Sequence, residues 1–122
     1  MGPMGTYKVD TLPSRRDGYI AKFRALSKSC ATHLRCCIED FAEVDPEADE
    51  LCGQLNKRYD VYAVAIPFCP RRWLALAIDT LGSGQRDRIV IDIITSKYRP
   101  CALANSYAAN QLTSGGYQWV QR

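Results

Sequence analysis

The residue types that do chemistry are scarce in this chain and badly spaced for it. Histidine occurs once, as His33. It falls inside a helical pattern with no nucleophile placed beside it, so a hydrolytic triad has no base to work with. Asp79 and Asp92 lie on neighbouring strand candidates with Lys97 beyond. A small metal-dependent hydrolase would use such carboxylates. It needs them to converge on one ion, and the pattern pairs Asp79 with Arg88 instead. Gly82-Ser83-Gly84 has neither the lysine nor the helix of a phosphate loop, and reads as a hairpin turn. No metal site and no cofactor is expected.

Six cysteines, at 30, 36, 37, 52, 69 and 101, permit fifteen disulfide connectivities. No pair has the spacing that aims two ligands at zinc. Cys30 and Cys37 fit the buried stripe of a helix, and the start of the chain shows no basic region followed by an apolar run. The expectation is therefore reduced cysteines in a cytoplasmic, intracellular protein. No apolar stretch is long enough to cross a membrane.

Basic residues remain as candidates for binding. Arg71, Arg72, Arg86, Arg88, Lys97 and Arg99 fall in or beside loops, near Trp73 and Tyr98 for base stacking. They form the nucleic-acid alternative: binding of RNA or a single strand through loop arginines. The charge map does not show the continuous basic stripe of a dedicated nucleic-acid binder. Residues 1–38 carry seven basic groups against two acids, residues 39–60 eight acids against Lys57 and Arg58, and residues 61–122 seven basic groups against three acids. An acidic middle between basic flanks suits internal pairing or a protein partner.

The elements that must position these groups follow from periodicity. With 122 residues, 47% hydrophobic and 24% charged, the chain has the size and composition of one globular domain. Residues 1–16 read as a mobile N-terminal arm, and residues 17–122 as a single α+β domain. Ile20, Phe23, Cys30, Leu34, Cys37 and Phe41 recur at helical spacing from about 17 to 43. A straight helix of that length would be roughly 40 Å long, so it must bend, break or project. Asp45-Pro46 followed by Glu47, Asp49 and Glu50 suggests the start of a second, acidic helix reaching Arg58.

The period then becomes two. Residues 61–66, 72–79 and 88–95 form a three-stranded antiparallel meander. A helix follows Pro100 and ends at Gly115-Gly116, with a possible short final strand over 117–120. This element order is similar to that of double-stranded-RNA-binding domains, with Ser96-Lys97-Tyr98-Arg99 where their last helix begins. The similarity is one of order only.

Centring each hairpin on its turn sets Ala63 opposite Ala75, Ala65 opposite Trp73, Ala75 opposite Asp92, Ala77 opposite Val90 and Asp79 opposite Arg88. One sheet face then carries Tyr62, Val64, Ile66, Leu74, Leu76, Ile78, Ile89, Ile91 and Ile93, a core face. The other carries Val61, Ala63, Ala65, Trp73, Ala75, Ala77, Val90, Asp92 and Ile94, shallow and apolar. Small residues allow another backbone to approach closely, and exposed apolar surface marks interaction sites. That face is covered either by the last helix or tail, or by a partner. The resulting expectation is a non-enzymatic binding or adaptor domain. It would act through a protein partner or homo-oligomer at Ala63, Ala65, Trp73, Ala75, Ala77, Val90 and Asp92, with no membrane role.

Overall fold

A computed structural model describes residues 7–12, 15–55, 58–80, 88–95 and 100–113, with side chains of the last segment described through Ser106. The fold is α+β. A five-stranded mixed sheet is packed by two helices on one face and a third on the other. The sheet is wider than a three-stranded antiparallel meander. The expected strands are β3 (Tyr59–Ala65), β4 (Trp73–Asp79) and β5 (Arg88–Ile94), and they form its three central strands in the order β5-β4-β3. A strand is added at each edge. On one side β1 (Val9–Thr11), within the segment read as an arm, runs parallel to β5; on the other, β2 (Leu51–Leu55) runs antiparallel to β3.

The long helical pattern breaks. Helix α1 spans Arg16–Arg24 and α2 spans Lys28–Phe41. Ser27 ends the run of helix between them because it caps α2, its Oγ accepting from the Cys30 amide at 3.1 Å. The expected second, acidic helix is replaced by a single 3-10 turn, Ala48–Glu50, and then β2. Glu47 and Glu50 form a capping box around that one turn, which uses the helix-start signal without propagating it. Gly53 then adopts φ +146°, outside the helical region, at an irregularity in the β2–β3 pairing.

Register in the β3–β4 hairpin is as the turn centring predicts, with Ala63 opposite Ala75 and Ala65 opposite Trp73. Between β4 and β5 the pairing shifts. Ala75 faces Asp92, but Ala77 faces Ile89 and Ile78 faces Arg88, so Ile91 is the extra residue of a bulge. The expected pairs Ala77–Val90 and Asp79–Arg88 are thereby corrected. A bulge also exchanges faces. Val90 joins the α2 side, while Ile89 and Ile91 join the side carrying the alanines.

Two cores result. Leu34 and Phe41 of α2 cover Tyr62, Leu74, Leu76, Val90 and Ile93, with Tyr19 and Phe23 of α1 packed beside them. On the opposite face α3 (Pro100–Thr113) sets Ala104 on Val61, Ala63, Ala75, Ala77, Ile89 and Ile91. No helix among the described residues is long and apolar enough to cross a membrane.

The cysteines do not all stay reduced. Cys30 in the first turn of α2 and Cys69 in the β3–β4 connection form a disulfide, with Cα atoms 5.3 Å apart, and Cys36, Cys37, Cys52 and Cys101 are free. The expectation of six thiols fails because helical spacing explains Cys30 by packing alone. It carries no sign that a loop 39 residues later returns to the same place. The cytoplasmic placement loses the support it drew from that expectation.

Candidate functional site

The residues expected to face a partner separate into four environments. Ala75 and Ala77 are fully buried and Ala63 nearly so, all beneath α3 of the same chain. Their small side chains let that helix approach the sheet. Val90 lies in the other core. Only the end of the alanine row is open: Ala65 is exposed and Trp73 half-buried.

Asp92 is fully buried and surrounded by cations. Its carboxylate accepts from Arg15 at 2.7 and 3.3 Å, from Lys22 Nζ at 3.1 Å, and from the Ile93 amide at 2.7 Å. Lys22 also donates to the Ile93 carbonyl, so α1 closes the part of β5 that β1 leaves unpaired. Such a carboxylate, with its oxygens taken up by Arg15, Lys22 and the Ile93 amide, is a structural anchor. Among the described residues no three His, Cys, Asp or Glu side chains stand close enough to share a metal ion.

The candidate nucleic-acid residues also part company. Arg88 is buried: it donates to the carbonyls of Phe41 and Val44, pairs with Asp45, and stacks under the Tyr7 ring at 4.1 Å. Asp79, expected to face it, is instead held by Arg58 through two 2.9 Å contacts. That carboxylate pushes the Arg58 pKa further up. Arg86, Lys97 and Arg99 lie outside the described residues, as do the 82–84 turn and the 117–120 segment with Trp119. Arg71 is exposed and Arg72 half-buried, and both belong to a surface that the spacing of the cysteines and arginines did not reveal.

That surface is the β3–β4 connection, Ile66-Pro67-Phe68-Cys69-Pro70-Arg71-Arg72. Two turns follow one another. The Cys69 amide donates to the Ile66 carbonyl at 3.1 Å, and the Arg72 amide donates to the Cys69 carbonyl at 3.2 Å. Each has proline at its second corner and a positive φ at its third, +59° at Phe68 and +61° at Arg71. This is the type II arrangement, whose third corner is normally glycine or asparagine. An ordinary L residue there is strained by roughly 1–2 kcal/mol.

The pair of turns is nevertheless well fastened. Ile66 N–H donates to the Arg72 carbonyl at 3.1 Å, the disulfide ties Cys69 to α2, and the Phe68 ring meets His33 at 4.8 Å. Phe68 is still 81% exposed, more than any other large hydrophobic side chain among the described residues. Around it, Ala65, Arg71, Arg72 and Trp73 line an open depression of about 340 Å³. The signal available in the sequence was the repeat Pro-Phe-Cys-Pro-Arg: two prolines three residues apart, with no glycine where each turn requires a positive φ.

A second surface lies at the other end of α2. Asp40, Asp45, Glu47 and Glu50 rim a depression of about 200 Å³ whose floor includes Phe41, Val64 and Leu76. Its field is negative. Burial, and then Asp40, Cys36 and Glu50, push the Cys37 thiol up; burial, and then Asp60 and Asp45, push the Tyr62 phenol up against the opposing effect of Arg88.

Compared with known protein families, with curated proteins and with solved structures, the chain matches none.

Proposed function

We propose that the protein is a non-enzymatic binding domain, acting by protein–protein contact that includes self-association, and that the double turn is its contact surface. One observation carries this reading. Phe68 keeps a bulky, 81% exposed side chain at φ +59°, where glycine would be free of strain. Backbone strain of this kind clusters at ligand clamps and other functional sites. The neighbours strengthen the reading, because aromatic residues and arginine dominate interface hot spots and Trp73, Arg71 and Arg72 all adjoin Phe68. The sheet face expected to bind is represented here by its open end, Ala65 and Trp73.

The test is selection of random displayed peptides on the folded, oxidised protein, followed by affinity measurement on Phe68→Gly. Loss of a hot-spot aromatic worth about 2 kcal/mol weakens binding roughly 30-fold. Selected peptides that bind wild type and Phe68→Gly equally overturn the proposal.

A second reading follows from the same adjacency of cations and rings. Single-stranded RNA can stack on Phe68 or Trp73 while Arg71 and Arg72 neutralise phosphates. Two phosphate contacts give a log–log salt slope of only about −1.4 on a single strand, and the Arg71→Ala/Arg72→Ala protein should show a slope near zero. Absence of RNA binding at ~50 mM salt removes this reading.

A further inference from the structure

The double turn and the acidic depression are complementary to each other. The residues lining the depression beside the turn include Phe68, Arg71 and Arg72 and no carboxylate. Those lining the one at the far end of α2 include four carboxylates and no basic residue. Exposed apolar side chains are divided the same way. Among the described residues the large ones are Phe68 at the cationic end and Tyr7, Val44 and Leu51 at the acidic end. Val44 is 60% exposed on the acidic rim, Leu51 follows Glu50, and the Tyr7 amide bonds to the Ala42 carbonyl. Each surface thus offers an apolar contact ringed by one sign of exposed charge, the Arg88 that pairs with Asp45 being buried. Arginine forks match carboxylates in pairs, as this docking requires.

The two surfaces cannot meet within one molecule. Cys30–Cys69 fixes the double turn to the first turn of α2. Asp40 lies ten residues further along that helix, about 15 Å away at 1.5 Å per residue. We infer that the protein assembles head to tail with copies of itself, the Phe68 turn of one copy seated in the acidic depression of the next. This rests on the double turn being the contact surface. Contact between two different patches is heterologous, so assembly does not stop at a symmetric dimer but continues into a chain or closes as a ring. Its charged rim makes it weaken as salt rises and the screening length falls from about 10 Å at 0.1 M to about 3 Å at 1 M.

The experiment is sedimentation and light scattering across a concentration series, with the disulfide intact. The expected result for wild type is a mass that climbs past the dimer with concentration and drops in high salt. A head variant, Arg71→Ala/Arg72→Ala, and a groove variant, Asp40→Lys/Val44→Lys, change only exposed or half-buried side chains, and the neutral head gains no attraction for the basic groove. Each should be monomeric alone, with association weakened at least tenfold. Mixed one to one, they should give a heterodimer and nothing larger, because only one intact head and one intact groove remain. Phe68→Gly serves as a second head variant that does not depend on charge. A wild type that stays monomeric at every concentration overturns the inference, as does a mixture that forms no heterodimer. If displayed peptides still bind through Phe68 in that case, the contact surface stands and only the second copy is excluded as its occupant.

Discussion

Replacing Phe68 by glycine separates a side chain kept for contact from one kept for folding. At φ +59° the L configuration costs roughly 1–2 kcal/mol, which glycine removes. Glycine adds about 0.5–1 kcal/mol of unfolded-state entropy in return. The lost ring contact with His33 is small because Phe68 is 81% exposed. The sum lies between no change and a gain of about 1 kcal/mol, or about 4 °C in Tm for a chain of this length. Phe68→Ala is the control. It loses the same ring and keeps the strained φ, so it should be about 1 kcal/mol less stable than Phe68→Gly. Thermal and urea unfolding without reductant measure the difference, and both variants should lose self-association alike. If Phe68→Gly costs more than about 2 kcal/mol, the ring holds the turn together. The step from strain to function is then refuted.

Three further outcomes follow from other parts of the fold. Thiol titration of the denatured, unreduced chain should find four reactive groups; reduction should cost about 4 kcal/mol of stability, the chain-entropy value for a bond spanning 39 residues. Ala77→Arg should cost at least about 3 kcal/mol, read from the urea midpoint, because it places an unpaired charge between the sheet and α3. Stability should fall as pH rises from about 9 towards 12. Burial, and then the hydrogen bond and charge shared with Cys101, push the Cys52 thiol up to about 12. The folded state therefore holds a proton that the unfolded chain releases near pH 9, and Cys52→Val should flatten this slope.

The parts of the fold that were legible are those where one local pattern decides the outcome. Alternation over 61–66 and 72–79 fixes which side chains share a face, and the prolines of the connection fix the turn centre, so the β3–β4 register follows. The same alternation runs through 88–95 but cannot reveal that Ile91 is skipped. A bulge leaves no mark in polarity among Ile89, Val90 and Ile91, and Asp92 faces Ala75 with or without it. The acidic segment misleads for a different reason. Leu51, Cys52, Leu55 and Tyr59 satisfy a helical stripe, yet in the fold Cys52 and Leu55 pack from β2 against the core, Leu51 is exposed and Tyr59 opens β3, and pairing with β3 decides between the two. At the candidate site, Arg71, Arg72, Ala65 and Trp73 were each visible as residues. Ala65 opposite Trp73 followed from the hairpin register, but the double turn that sets Phe68 and Arg71 beside them did not, because its positive φ values fall on residues other than glycine.

The Cys30–Cys69 disulfide bears on why strain is tolerated in the double turn. Two positive-φ residues within four positions oppose the conformation by roughly 2–4 kcal/mol together, taken at 1–2 kcal/mol each. The cross-link contributes about the same amount in its favour. Fastened in this way, Phe68, Arg71 and Arg72 reach a partner with their backbone already ordered, so association does not have to supply that ordering free energy. Cutting the bond removes this advantage while leaving every contacting side chain in place. Reduction therefore acts on association through the fraction of molecules whose turn is still formed. Apparent affinity falls in proportion to that fraction, while the affinity of the formed turn stays the same. A surface built from side chains on a rigid strand would be indifferent to such a change.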